Sequence, residues 1–233
     1  MNDLTFSSAS ALAAAIRAKE VSSLEVIDAH LAHIERANPG LNAVVLVLAD
    51  QARAAAREAD AAVARGDVLG PFHGVPMTVK DAWEVKGVPS TGGTLGRAGY
   101  LPQQDATVID RMRKAGAIPI GMTNLPELSM AYESDNLVHG RTNNPYDTAR
   151  TPGGSGGGGA AAIAAGMSAI EIGGTSAGVS GCPAISPESL GSGLPPAGLP
   201  SPAIFRRTTG GLASLPRRDR WRAPSRTSRR RFA

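Results

Sequence analysis

Apolar positions in the first seventy residues recur at helical intervals. One stretch has its apolar residues three or four positions apart, at Leu24, Ile27, Leu31 and Ile34. Ser22 and Glu25 form a capping-box pair before this stretch, and the Asn-Pro-Gly at 38–40 ends it. A second, alanine-rich pattern covers residues 50–65. The pattern therefore predicts a helical N-terminal segment.

Farther along, short apolar runs replace the helical periodicity. The runs at 75–81 and 117–121 have the length and composition of buried strands. Between them, Asp105 is placed to cap a helix that extends to Ala115. The order of strand, helix and strand at this spacing predicts a parallel sheet in an α/β domain.

A third region combines loop and element signals. Residues 133–150 form a polar loop, and a glycine-rich segment follows at 151–159. Residues 160–165 favour a helix and 169–172 a strand. Beyond Gly173 the chain carries Pro, Ser, Gly and Arg with no sustained period, so we predict coil or disorder there.

Length and composition fit a globular protein. The chain has 233 residues, of which 42% are hydrophobic and 19% charged, enough for one large or two small domains with a core. It contains no apolar run of about 18 residues, so we predict no membrane span. A lone Cys182 and the absence of a secretion signal in residues 1–10 predict a cytoplasmic protein.

The net charge of +4 is the sum of two unlike parts. From Cys182 onward there are ten Arg, no Lys and two acidic residues, a charge of +8, which leaves −4 for the rest. The basic excess lies in the part without apolar periodicity, so we interpret Arg229–Arg231 as accidental charge. We predict neither a nucleic-acid nor a membrane partner.

The glycine-rich segment matches two motifs, one for dinucleotide binding and one for catalysis, but the rest of the sequence lacks the features that each requires. Gly154-x-Gly156-x-x-Gly159 fits a dinucleotide fingerprint, but no strand precedes it and no acidic residue follows about twenty positions on. Gly153-x-Ser155-x-Gly157 fits a nucleophile elbow, which needs a later histidine. All four histidines lie upstream, at His30, His33, His73 and His139. Two interpretations stay open: a backbone that turns sharply near a reacting group with Ser155, or a flexible loop that caps a helix.

Lys80 ends the apolar run at 75–81 and is followed by Asp81. Such a lysine is either a solvated strand end or a desolvated base with a lowered pKa. Because no histidine is suitably placed, a pair of Ser155 with Lys80 is the simplest way to activate an oxygen nucleophile.

Four ordered blocks carry a resemblance to a known family. They are Gly74-Val-Pro-Met-Thr-Val-Lys80-Asp81, Gly121-Met-Thr-Asn124-Leu-Pro-Glu127, Gly140-Arg-Thr-Asn-Asn-Pro145-Tyr-Asp147 and Thr151-Pro-Gly-Gly-Ser155. Together they resemble the amidase signature family over residues 4–174. The resemblance implies an α/β fold, with a mixed sheet covered by helices and here incomplete.

The resemblance also assigns roles. Lys80 matches the catalytic lysine, and Ser155 matches a bridging serine that is held in a cis peptide and relays a proton to a nucleophilic serine. A second serine of the family is replaced by Gly156. The implied site has no metal and no organic cofactor. Four further residues of the matching blocks are candidates for shaping it: Asn124, Glu127, Asn143 and Asn144.

The nucleophile is the main departure. The family places it in Asp-x-Gly-Gly-Ser about two dozen residues after the bridging serine, where this chain has Gly174-Thr-Ser-Ala-Gly-Val179-Ser180-Gly. Val179 occupies the nucleophile's place and cannot attack a carbonyl. Ser176 and Ser180 flank it, and Ser180 is the third candidate catalytic residue, although a displaced neighbour is a poor substitute.

Our hypothesis for this departure is a one-base frameshift at or just before Gly174. When the last base of each codon is joined to the first two of the next, Gly174-Thr175 can read Asp, and the following codons can read a Gly-Gly-Ser segment of the family kind. We therefore divide the chain into residues 1–174, the N-terminal part of an amidase domain, and 175–233, an out-of-frame and disordered tail. The frame of the encoding DNA tests this division.

The function implied by the resemblance is hydrolysis of a small-molecule amide to acid and ammonia or amine by a Ser-Ser-Lys triad, impaired in this copy. One alternative is an amidotransferase A subunit, which takes ammonia from glutamine within a complex that serves misacylated tRNA. The other is a non-enzymatic truncated fragment. The amide substrate and the oligomeric state stay open.

Overall fold

The computed structural model describes residues 4–67 and 69–174. Their helices are α1 (Ala9–Arg17), α2 (Ser23–Ala37), α3 (Ala49–Arg65), α4 (Thr107–Lys114) and α5 (Gly157–Ala164). Their strands are β1 (Val44–Val47), β2 (Pro76–Lys80), β3 (Ile118–Thr123) and β4 (Ile170–Ile172). Short 3-10 turns lie at Leu4–Phe6, Asn38–Gly40, Leu95–Arg97 and Glu127–Ser129. None of the helices in these ranges is long and apolar enough to cross a bilayer.

The four strands form one mixed sheet in the order β1-β3-β2-β4. Strand β2 runs parallel to both β3 and β4, as the strand-helix-strand pattern predicts. Strand β1 pairs antiparallel with β3, and the helical interpretation of the first seventy residues omitted it. It is a four-residue apolar run placed directly before α3, so its short length hides it between two stronger helical signals.

The two predicted N-terminal helices are confirmed. Helix α2 begins with a complete capping box, in which Ser22 Oγ accepts from the Glu25 amide at 3.1 Å and Glu25 accepts from the Ser22 amide at 2.8 Å. Helix α3 ends at Arg65 and is followed by Gly66, whose φ of 79° closes the last turn in the left-handed conformation.

Asp105 does not cap α4, which corrects the sequence prediction. The helix begins one residue later than such a cap requires, after Ala106, with no side-chain capping bond. The Asp105 carboxylate instead accepts from the Lys86 amide at 2.7 Å and pairs with Arg113 Nε at 3.0 Å. It ties the preceding loop to the helix and leaves the first helical amides uncapped.

Alternation along β2 decides which face carries the site. Met77 and Val79 are fully buried in an apolar cluster with α1 and α4, so Thr78 and Lys80 point to the opposite face. On β3 the register shifts between the partners of Met77 and Thr78, which brings Thr123 opposite Lys80. Apart from Thr78, Lys80, Thr123 and Glu171, this face is apolar, and it is covered by α2, α3 and α5.

Candidate active site

Lys80 and Ser155 meet inside the protein. Lys80 is the last residue of β2 and is fully buried, and Ser155 precedes α5 and is 2% exposed. Lys80 Nζ donates to Ser155 Oγ at 2.8 Å and to the Gly174 carbonyl at 2.6 Å. The fold thus brings together two side chains that lie 75 positions apart in the sequence. Of the two interpretations of Lys80, the solvated strand end is wrong.

Burial lowers the pKa of Lys80 to about 8, and the nearby Glu171 carboxyl opposes part of this shift. Removing the ammonium from water disfavours its charged form, which is the ordinary cause of a lowered lysine pKa. A neutral amine is therefore accessible close to neutral pH, as a general base requires.

The glycine-rich segment holds Ser155 in one position. The Gly154–Ser155 peptide bond is cis, as the resemblance implies. Ser134 bridges the two sides of this bond, since its hydroxyl donates to the Gly153 carbonyl at 3.1 Å and accepts from the Gly157 amide at 2.9 Å. A Cβ at Gly154 would lie 2.6–2.8 Å from backbone atoms of residues 131–133. The segment is a tightly packed turn, so the flexible-loop interpretation does not hold.

Ser134→Ala is expected to lower the free energy of unfolding by about 2–3 kcal/mol, because it leaves a buried amide and a buried carbonyl without a partner. The matched control is Ser168→Ala, a buried serine with one bond, to the Ile170 carbonyl at 2.7 Å. The control is expected to lose about 1 kcal/mol. Urea denaturation measures both, and equal losses would contradict the bridging role of Ser134.

Sequence reasoning missed a buried carboxylic acid beside the lysine. Glu171 lies in β4, is 4% exposed and stands opposite Thr78 in the register. Its carboxyl accepts from Thr123 Oγ1 at 2.7 Å and from Thr78 Oγ1. Burial raises the pKa of Glu171. The available signal was an acidic residue inside the apolar run at 169–172.

A second polar cluster closes the end of β2. Asp81 is 2% exposed and accepts from both the amide and the hydroxyl of Thr91. His139 Nε2 lies 3.0 Å from Thr91 Oγ1 and 3.4 Å from Asp81 Oδ2. These contacts fix the loop that follows Lys80. They also hold the His139 ring against Asp81 and Thr91.

The candidate site-shaping residues have different environments. Asn124 is fully buried and its Nδ2 donates to the Gly140 carbonyl at 2.9 Å and to Thr142 Oγ1 at 3.0 Å. Asn144 is buried and donates to the Thr151 carbonyl at 3.4 Å, next to the glycine-rich segment. Asn143 donates to the Gly40 carbonyl at 3.1 Å, and Glu127 is exposed. The two buried asparagines therefore brace the loops around the site.

The remaining candidates fall elsewhere. Ser180, Ser176 and Val179 lie outside the described residues, as does the proposed tail at 175–233. His33 Nε2 lies 2.7 Å from the Ala165 carbonyl, so this histidine joins α2 to the end of α5. Within residues 4–67 and 69–174, no three His, Cys, Asp or Glu side chains come together in a way that could hold a metal ion.

Comparison with known proteins defines the class to which this fold and site belong. The sequence model of the Amidase family matches residues 25–185, and the chain belongs to this family. The structural neighbours are amidase signature enzymes. One is the native peptide amidase of Stenotrophomonas maltophilia, with a TM-score of 0.67 and 31% identity over 71% of this chain and 35% of that one.

Two curated relatives show how similar the sequences are. The A subunit of the glutamyl-tRNA(Gln) amidotransferase of Anaeromyxobacter sp. (strain K) is 44% identical over 154 residues, 66% of this chain and 31% of the relative. Indoleacetamide hydrolase of Bradyrhizobium diazoefficiens is 44% identical over 158 residues, 68% of this chain and 30% of the relative. The chain therefore matches about a third of the length of these proteins.

Proposed function

We propose that Lys80 and Ser155 are the proton-transferring pair of a serine-dependent amidase that cleaves a carboxylic amide to acid and ammonia or amine. The observation that carries the proposal is the 2.8 Å contact between the buried Lys80 Nζ and Ser155 Oγ. The lowered pKa of Lys80 and the membership of the Amidase family support it.

The proposed reaction is that of a chain with the intact family pattern, in which a Gly-Gly-Ser segment places a serine where this chain has Val179. Neutral Lys80 takes a proton from Ser155 while Ser155 takes one from a nucleophilic serine, whose oxygen attacks the amide carbonyl. Backbone N–H groups of the Gly-Gly turn before that serine stabilise the oxyanion, and loss of one such donor costs about 3–4 kcal/mol of barrier. The protons return through the same relay to the leaving amine, and water then hydrolyses the acyl-enzyme.

We propose further that this polypeptide lacks the attacking group, because Val179 stands where the family has serine. The expected result is little or no turnover of simple amides by the chain as written. Turnover that Lys80→Ala abolishes would contradict this expectation. Reading the encoding DNA tests its cause, since a one-base frameshift requires an open, family-like continuation in the neighbouring frame after Gly173.

The experiment for the proposed function uses a frame-restored chain, defined as the polypeptide translated in that neighbouring frame after Gly173. This chain is expected to hydrolyse simple aliphatic or aryl amides and to release ammonia or amine in amounts equal to the acid. A folded frame-restored chain that hydrolyses none of a panel of amides, with glutamine included, would overturn the proposal.

The alternative is an amidotransferase A subunit, since the Anaeromyxobacter relative is one, but the 44% identity to that protein equals the identity to indoleacetamide hydrolase. The segment Tyr132-Glu-Ser-Asp-Asn136 looks more like that of stand-alone hydrolases, so we place the free amidase first. Stable co-purification of the frame-restored chain with partner subunits, together with glutaminase activity, would favour the alternative.

A further inference from the structure

Three strands contribute polar side chains to one buried patch that includes Lys80. Thr78 and Lys80 come from β2, Thr123 from β3 and Glu171 from β4, and all are 4% exposed or less. The register explains the patch, because Thr78 pairs with Glu171 and Lys80 pairs with Thr123. We call these four residues the lysine patch.

The Glu171 carboxyl is held in the lysine patch on three sides. One oxygen accepts from Thr123 Oγ1 at 2.7 Å and the other from Thr78 Oγ1. On the third side lies Gly159 of α5, where a Cβ would approach Glu171 Oε1 to 2.3 Å. The two threonine hydroxyls fix the carboxyl, and the glycine gives it room.

Burying a carboxylate costs free energy unless hydrogen bonds or an opposite charge stabilise it. Burial raises the pKa of Glu171, and the two hydroxyl bonds and the positive charge of Lys80 oppose part of this shift by stabilising the charged carboxylate. Lys80 is the titratable group that acts on Glu171 from β2, while β3 offers the Thr123 hydroxyl. Helix α5 has the sequence GGGAAAIA and offers no ionisable group.

We propose that Glu171 is a positioning residue of the site: its carboxylate, fixed by Thr78 and Thr123, stabilises the charged form of Lys80 and so raises the pH at which this buried lysine becomes a base. The inference rests on the proposed function in one respect only, that Lys80 is the base. Burial alone would lower the proton affinity of the amine further, and a nearby buried carboxylate counteracts this effect. Proton transfer is most efficient when the pKa of the base lies close to the working pH.

The test measures the titration of Lys80 in the chain as it exists, without reference to activity. The sequence has only four lysines, at positions 19, 80, 86 and 114, so ¹³Cε-labelled lysine gives a simple spectrum. In Glu171→Gln the amide keeps the size of the carboxyl and loses its charge. The Lys80 midpoint is expected to fall by roughly one pH unit or more. The matched control, Glu133→Gln, removes the same charge from an exposed side chain and is expected to leave the midpoint in place.

An unchanged or raised midpoint in a folded Glu171→Gln protein would overturn the proposal. If this variant does not fold, Lys80→Met provides the reciprocal measurement, because coupling between two titrating groups acts equally on both. Its Glu171 ¹³Cδ signal is expected to titrate at higher pH than in the wild type, by a similar shift, and no shift would overturn the proposal. Loss of amide turnover in a Lys80 variant of the frame-restored chain tests the proposed function separately, so the two can fail independently.

Discussion

Lys80→Met in the frame-restored chain is expected to lower kcat/KM for a simple amide by about 1,000-fold or more, a loss in the range measured for general bases and for members of catalytic triads. Methionine retains much of the length and the apolar stem of lysine. It removes the amine that contacts Ser155 Oγ at 2.8 Å, so neither serine can pass on a proton. Steady-state assays at pH 8 of the two purified proteins measure the ratio.

The matched control is Lys86→Met, which changes an exposed lysine six positions further on. It is expected to change kcat/KM less than about twofold, because surface substitutions away from specific contacts have small effects. A Lys80→Met protein that folds and retains more than a tenth of wild-type kcat/KM would show that another group accepts the proton.

The second large effect concerns the helix that follows Ser155. Gly158→Ala is expected to lower the free energy of unfolding by roughly 3 kcal/mol, near the upper end of ordinary overpacking. A Cβ at this position would lie 2.4 Å from the Asn124 amide nitrogen, 2.5 Å from its carbonyl oxygen and 2.9 Å from the Ala43 carbonyl oxygen. All three are backbone atoms of the sheet region, so neither side can move without shifting an element.

The glycine-rich segment supplies its own control. A Cβ at Gly156 would have no atom within 4 Å, and the residue has a φ of −104°, which alanine adopts readily. Gly156→Ala is therefore expected to change stability by less than about 0.5 kcal/mol. Thermal or urea unfolding of both variants measures the contrast. Equal stability of the two would mean that α5 does not pack against the backbone at Asn124.

Local sequence rules predict much of this fold. The capping box of α2, the alanine-rich α3 and the β2-α4-β3 order all follow from periodicity and end signals. The rules fail where tertiary contacts determine the partner of a side chain or the formation of a strand. Asp105 has the right chemistry for a cap, but its carboxylate is used by Lys86 and Arg113 instead. Strand β1 is stabilised by pairing with β3, more than seventy residues away, which local periodicity does not register.

The candidate site divides in the same way. Lys80 and Ser155 were predictable because their blocks resemble a family, and the structure adds the contact between them. Glu171 was not predicted, because an acid in an apolar run gives no indication of its neighbours. Only the register of β2 and β4 places it beside Thr78 and near the lysine. The role of Ser134 depends likewise on a fold that returns residues 153–157 to its hydroxyl.

The central claim is that Lys80 is a buried lysine whose proton affinity is lowered where it contacts Ser155. Its most direct test is the ¹³Cε titration of the wild-type protein, with the Lys80 signal assigned by its absence in Lys80→Met. The account predicts a midpoint near the pKa of about 8 that burial confers. A midpoint near 10.5, the ordinary value for lysine, would show a solvated amine and contradict the account.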